Sequence, residues 1–142
     1  MSKAITTIGI LVWLLVVVAC SSPAPTGLAL NYSVSGCDEE MEATRSGEWG
    51  EVEVTIEDGA VHIEQKLVYV CCAELALTVK QEGNTVKVIE TNIGELCRCI
   101  CEYHVEASIA DLAPGTYRMQ VWGVQYEDVH PLELLGDAMI TL

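Results

Sequence analysis

The chain has 142 residues, with 21 acidic side chains against 7 basic ones and a net charge of −14. Such a surface repels nucleic acid and anionic lipid headgroups alike. A chain of this length makes one domain with a modest core.

In chain order, the first element is a leader. Lys3 opens a weakly basic start, and Ala4 to Ala19 is an almost unbroken apolar run. At about 16 residues it is short of the roughly 20 that a spanning helix needs, and it has the length of a signal-peptide apolar segment. The run ends in Val17-Val18-Ala19-Cys20. This tetrapeptide resembles the bacterial lipoprotein box, in which aliphatic and small residues precede an invariant cysteine. The resemblance implies a signal helix over residues 1–19, cleavage after Ala19, and a lipid on Cys20. An uncleaved anchor with an incidental cysteine is the alternative. In either case the domain is expected outside the cytoplasm, held at a membrane through the leader or the lipid. Ser21-Ser22-Pro23-Ala24-Pro25-Thr26-Gly27 comes next. Its small residues and prolines cannot build a core, so residues 20–30 are expected to be the lipidated cysteine and a tether, with the domain proper over 31–142.

Asp38, Glu39, Glu40 and Glu42 form the one dense acidic run. It lacks the ligand spacing of a calcium loop and reads as a solvated segment. Val52, Val54 and Ile56 then alternate with Glu51, Glu53, Thr55 and Glu57, the period of a half-buried strand. Asp58-Gly59 supplies the positive φ angles of a two-residue hairpin turn. The register this predicts sets Glu57 against Ala60, Ile56 against Val61 and Val54 against Ile63, apolar against apolar on one face.

The same parity continues through Leu67, Tyr69, Cys71, Ala73, Leu75, Leu77 and Val79. That is too long for one ordinary strand, so a bend or bulge is expected near Cys71-Cys72. Glu82-Gly83-Asn84 is a turn, and Thr85 to Glu90 is a strand with Val86 and Val88 inward. Cys97, Cys99, Cys101, Tyr103, Val105, Ala107 and Ile109 read as the inward face of a further strand. A turn over Asp111 to Tyr117 leads into a strand from Tyr117 to Val124, and Ala138 to Leu142 closes the chain. About seven short strands with turn signals between them predict an all-β, antiparallel sandwich. Leu112-Ala113-Pro114-Gly115-Thr116-Tyr117 also resembles the approach to a late strand in fibronectin-type and carboxypeptidase-regulatory-like sandwiches. There the proline and glycine make the turn and the tyrosine packs at the corner. The resemblance implies an immunoglobulin-like architecture and no particular activity.

Beyond Cys20 there are six cysteines: Cys37, Cys71, Cys72, Cys97, Cys99 and Cys101. An even number in a small exported domain points to disulfides. Cysteines two apart on a strand have Cα atoms about 6.5–7 Å apart, at or beyond the usual disulfide limit. Adjacent cysteines would close a strained ring. Cys97, Cys99 and Cys101 are therefore expected to pair with Cys37, Cys71 and Cys72, which cuts fifteen connectivities to six. The rival reading is a thiolate site for Zn²⁺ or Cu(I) built from Cys71, Cys97, Cys99 and Cys101, since both metals favour soft ligands. The disulfide reading requires no cofactor.

Other candidates for chemistry are sparse. His62 and His104 hold outward parity beside acids, and His130 precedes Pro131 in a loop. The sequence has no G-x-S-x-G nucleophile elbow and no glycine-rich phosphate loop before a helix. Tyr32, Trp49 and Tyr126 read as core or edge residues. Trp122, with outward parity, is the candidate for partner binding. The expectation is a lipid-anchored binding or structural module of the cell envelope with a protein or envelope partner, not an enzyme. The metal-binding lipoprotein is the alternative.

Overall fold

The computed structural model describes residues 27–37 and 50–142. The leader, Cys20, most of the tether, the acidic run after Cys37 and Trp49 lie outside the described residues. Among the described residues there are eight strands: β1 (Ala29–Gly36), β2 (Val52–Glu57), β3 (Ala60–Val70), β4 (Leu75–Glu82), β5 (Thr85–Asn92), β6 (Ile100–Ala110), β7 (Thr116–Gln125) and β8 (Glu133–Thr141). They form two four-stranded sheets, ordered β1-β6-β3-β2 and β4-β5-β7-β8. Among the described residues no helix is long and apolar enough to cross a membrane.

The β2–β3 hairpin has the register its sequence predicts, Glu57 opposite Ala60, Ile56 opposite Val61 and Val54 opposite Ile63. Asp58 and Gly59 take φ angles of 50° and 78°, the left-handed pair that lets a two-residue turn follow the twist of its strands. The long run of one parity after Ala60 divides where a bend was expected. β3 stops at Val70, Cys71 to Glu74 carry the chain across to the second sheet, and β4 resumes with Leu75 and Leu77 buried. Parity survives the crossing because both sheets face the same interior.

Three expectations are corrected. There are eight strands instead of about seven. The additional one, β1, begins at Ala29 inside the segment read as tether, because Leu28, Leu30 and Val34 pack against the core. The last strand starts at Glu133, not Ala138. The arrangement is also not purely antiparallel, since β5 pairs with β7 in parallel. After β5 the chain leaves the second sheet, runs back as β6 in the first, and returns as β7. That single reversal in the other sheet brings β7 back in the direction of β5, and β6 serves as the crossover a parallel pair requires.

Both sheets contribute to one core. Val61, Leu67, Val105 and Ile109 from the first meet Val86, Val88, Met119 and Val121 from the second, all at most 1% exposed. Each such side chain contributes about 1.5–3 kcal/mol through removal from water. The β6–β7 corner is closed by Tyr117, whose hydroxyl donates to the Ala113 carbonyl at 2.9 Å. Gly115 exchanges both backbone hydrogen bonds with Leu142 there, at 2.9 and 3.2 Å.

The registers give the sandwich two distinct ends. Ala29 lies opposite Ala110, so β1 enters at the end that carries the β2–β3 turn, the β4–β5 turn and the β6–β7 corner. Gly36 lies opposite Tyr103, and Val70 opposite Ile100. The far end therefore carries the β3–β4 crossing, the β5–β6 loop, the β7–β8 loop and every described cysteine.

Candidate functional site at the cysteine-bearing end

Cys101 sits on β6 with no exposure. Cys97 and Cys99 precede that strand, in the loop that begins after Asn92. The expectation of three cysteines on one strand face is thus corrected. The loop holds Cys97 and Cys99 half-buried, whereas Cys72 is exposed. Cys37 comes directly after the end of β1 with a left-handed φ of 67°, and its amide donates to the Glu102 carbonyl at 2.8 Å.

Three cysteine pairs stand at disulfide distance: Cys37 with Cys101, Cys71 with Cys99, and Cys72 with Cys97, their Cα atoms 5.0, 5.5 and 5.9 Å apart. This is one of the six connectivities that the sequence leaves open. Each pair joins a member of the C-x-C-x-C segment to Cys37, Cys71 or Cys72. The four cysteines proposed for a metal are distributed over two groups of three. Sulfurs of Cys37, Cys71 and Cys101 lie within 4.8 Å of one another, and those of Cys72, Cys97 and Cys99 form a second such group. The two groups adjoin through the Cys71–Cys99 pair.

The loops that bring these sulfurs together are organised by Asn92, which is 3% exposed at the end of β5. Its Oδ1 accepts from the amides of Glu74 and Gly94 at 3.1 and 2.9 Å, and its Nδ2 donates to the Glu95 carbonyl at 3.2 Å. One buried amide thereby ties the β3–β4 crossing to the β5–β6 loop. Backbone bonds from Ile93 to Glu74 (2.8 Å), Glu95 to Cys72 (3.3 Å) and Cys71 to Cys99 (3.1 Å) complete the join. Gly94 allows the close approach, since a Cβ there would stand 2.7 Å from the Glu74 nitrogen and 2.8 Å from the Cys72 oxygen. Tyr103 adds a hydroxyl bond to the Val70 carbonyl at 2.9 Å. Sequence reading missed Asn92. The signal was an inward-parity asparagine at the end of a strand of inward valines, a buried polar group that must find partners.

His130 has a place beyond the loop position expected of it. Its Nδ1 shares a 2.8 Å hydrogen bond with the Tyr69 hydroxyl, which pins the β7–β8 loop to β3. Burial pushes the Tyr69 phenol above its ordinary value. His62 and His104 occupy the outer face of the first sheet, His104 within 3.5 Å of Glu102. That face also carries Glu53, Glu64 and Glu106 directly opposite one another across three strands, an arrangement that costs stability. Trp122 is half-buried, and its Nε1 donates to Gln120 on the same strand at 3.2 Å.

Glu90 is a further residue that sequence reading passed over. It is 1% exposed on the inner face of β5, beside Gly123, where a Cβ would stand 2.6 Å from its Oε2. Burial pushes its carboxyl up to about 7, and the Gln65 side chain from the opposite sheet offsets this only in part. Among the described residues, neither Glu90 Oε2 nor either amide atom of Gln65 meets a partner at full hydrogen-bond geometry.

Around the cysteines, Ile93, Leu96, Val129, Leu132 and Leu134 are exposed, Ile93 by 61% and Val129 by 59%. Five of the eight large apolar side chains exposed among the described residues therefore stand at this end. Compared with known proteins, the chain matches no family model, no curated protein and no solved structure.

Proposed function

We propose that the protein is an exported, lipid-anchored module of the cell envelope, stapled by disulfides, that presents a binding surface for a protein partner at the end of its sandwich remote from the membrane. The observation that carries this is the opposition of the two ends. The chain enters β1 at one end, where a tether from Cys20 would arrive, while the cysteines and the exposed Ile93, Leu96, Val129, Leu132 and Leu134 gather at the other. Exposed apolar groups clustered in loops on a stapled scaffold suit recognition. Three cysteine pairs at disulfide distance suit an oxidising compartment. Two sheets on one core and the Tyr117–Ala113 corner contact support an immunoglobulin-like kinship, from which the parallel β5–β7 pair is a departure. In this reading the protein binds or scaffolds and catalyses nothing. Cys20→Ser should abolish lipid labelling and release the protein from membranes or stall its precursor. Unchanged labelling and fractionation would sink the anchor.

The second reading, a Zn²⁺ or Cu(I) thiolate site, is favoured by the two groups of three sulfurs within 4.8 Å. Mass spectrometry under native and denaturing conditions separates the two readings. Six missing hydrogens mean disulfides, and a metal mass lost on acidification means a site.

A further inference from the structure

The six cysteines are graded in exposure. Cys72 is exposed, Cys97, Cys99, Cys71 and Cys37 are half-buried, and Cys101 is fully enclosed. A thiol reagent arriving from solvent meets the Cys72–Cys97 pair first. Two further contacts set the fate of the thiols it would release. The Cys97 sulfur lies 3.4 Å from the Cys99 sulfur, which belongs to the neighbouring pair. The backbone amide of Cys72 points at the Cys97 sulfur with a donor distance of 3.1 Å. A hydrogen bond donated to sulfur favours the thiolate, the form that attacks a disulfide. Because Cys97 and Cys99 lie in a loop before β6, the extended-strand spacing that separates alternate cysteines does not hold them apart.

We propose that the exposed end is a thiol–disulfide exchange site, in which reduction of Cys72–Cys97 is passed inward and emerges as a free thiol on Cys71. The inference rests on the disulfide reading of the cysteines. An external dithiol, small or protein-borne, reduces the Cys72–Cys97 bond and is itself oxidised to a disulfide, leaving thiols on Cys72 and Cys97. The Cys97 thiolate then attacks the Cys99 sulfur. The Cys97–Cys99 bond forms, the Cys71–Cys99 bond breaks, and Cys71 leaves as a thiolate that takes up the proton Cys97 gave away. The second step involves no net oxidation or reduction. Cys71 shares its 4.8 Å neighbourhood with Cys37 and Cys101, so the released thiol stands beside the enclosed pair.

The test uses the full chain isolated in detergent without reductant. One equivalent of dithiothreitol is added, the reaction is quenched with acid at intervals, free thiols are alkylated with N-ethylmaleimide, and peptides are mapped. Label is expected first on Cys72 and Cys97, after which most of the second label moves from Cys97 to Cys71 as a Cys97–Cys99 linkage appears. Label that stays on Cys72 and Cys97, with Cys71–Cys99 intact, overturns the exchange while sparing the disulfide reading. Six free thiols before any reductant is added overturn both. The Cys72→Ser protein supplies an independent readout: it should be isolated with Cys97 joined to Cys99 and its label on Cys71, and label on Cys97 would count against the proposal.

Discussion

Where β1 enters, the sandwich turns by local means. Asp58-Gly59 and Gly83-Asn84 close two-residue hairpins, and the Tyr117 hydroxyl closes the β6–β7 corner. At the far end the chain crosses between sheets or runs through long loops, and what joins the pieces is non-local. Three cysteine pairs span sequence separations of 64, 28 and 25 residues, and one buried asparagine bonds to two separate segments. Turns of two residues carry their own dihedral preferences and need little else. Long connections lose more entropy on closure, and cross-links offset that loss. The end where β1 enters is thus held by local turns and the far end by joins between segments distant in sequence.

The sharpest way to break this comparison is reduction. Each pair that closes a loop of 25 or more residues contributes about 2–4 kcal/mol. A domain this size loses roughly 4 °C in midpoint per kcal/mol. Thermal unfolding in excess reductant should therefore fall by about 20 °C or more, with a chelator alone leaving it unchanged. Stability that ignores reductant and collapses with chelator would transfer the far end to metal.

Glu90 comes next. Its folded carboxyl titrates near 7, well above the ordinary 4.5. Between those values the folded state holds a proton that the unfolded state has released. Stability is therefore fully kept below about pH 4.5, falls as pH rises, and is flat above about 7. Glu90→Gln should remove that slope and stabilise the protein at pH 8 by up to about 3 kcal/mol, as measured by urea unfolding at several pH values. A variant with the parent's pH slope would show that Gln65 or relaxation of the core satisfies the carboxylate.

Asn92→Ala should cost about 2 kcal/mol, because it strands two amides and a carbonyl at once. It should also lower the fraction of correctly paired chains on reoxidation, read by peptide mapping. Stability lost without mispairing would mean that the backbone bonds alone bring the loops together. The smallest effect belongs to the end where β1 enters. Tyr117→Phe removes one hydroxyl bond and should cost about 1 kcal/mol in denaturant unfolding, with pairing intact. A loss of pairing there would make the two ends one cooperative unit and erase the distinction drawn between them.

The β2–β3 hairpin was legible in the sequence to the residue, because turn dihedrals and a period of two are local quantities that agree at Asp58-Gly59. The partition of the cysteines into two sets of three agrees with the pairs observed, although its premise of one strand holds for Cys101 alone, since Cys97 and Cys99 lie in the loop before β6. Which member of one set meets which of the other was not legible. That depends on where Cys71 to Glu74 cross between sheets and on how Asn92 holds the loop before β6. The parallel pairing of β5 with β7 was equally hidden, because it arises from a strand spent in the opposite sheet. Glu90 and Gln65 each continue an inward parity that their own segment announces. Only the packing of one sheet on the other decides that two polar side chains face each other there, since contact between layers is set by global topology and leaves no mark on local periodicity.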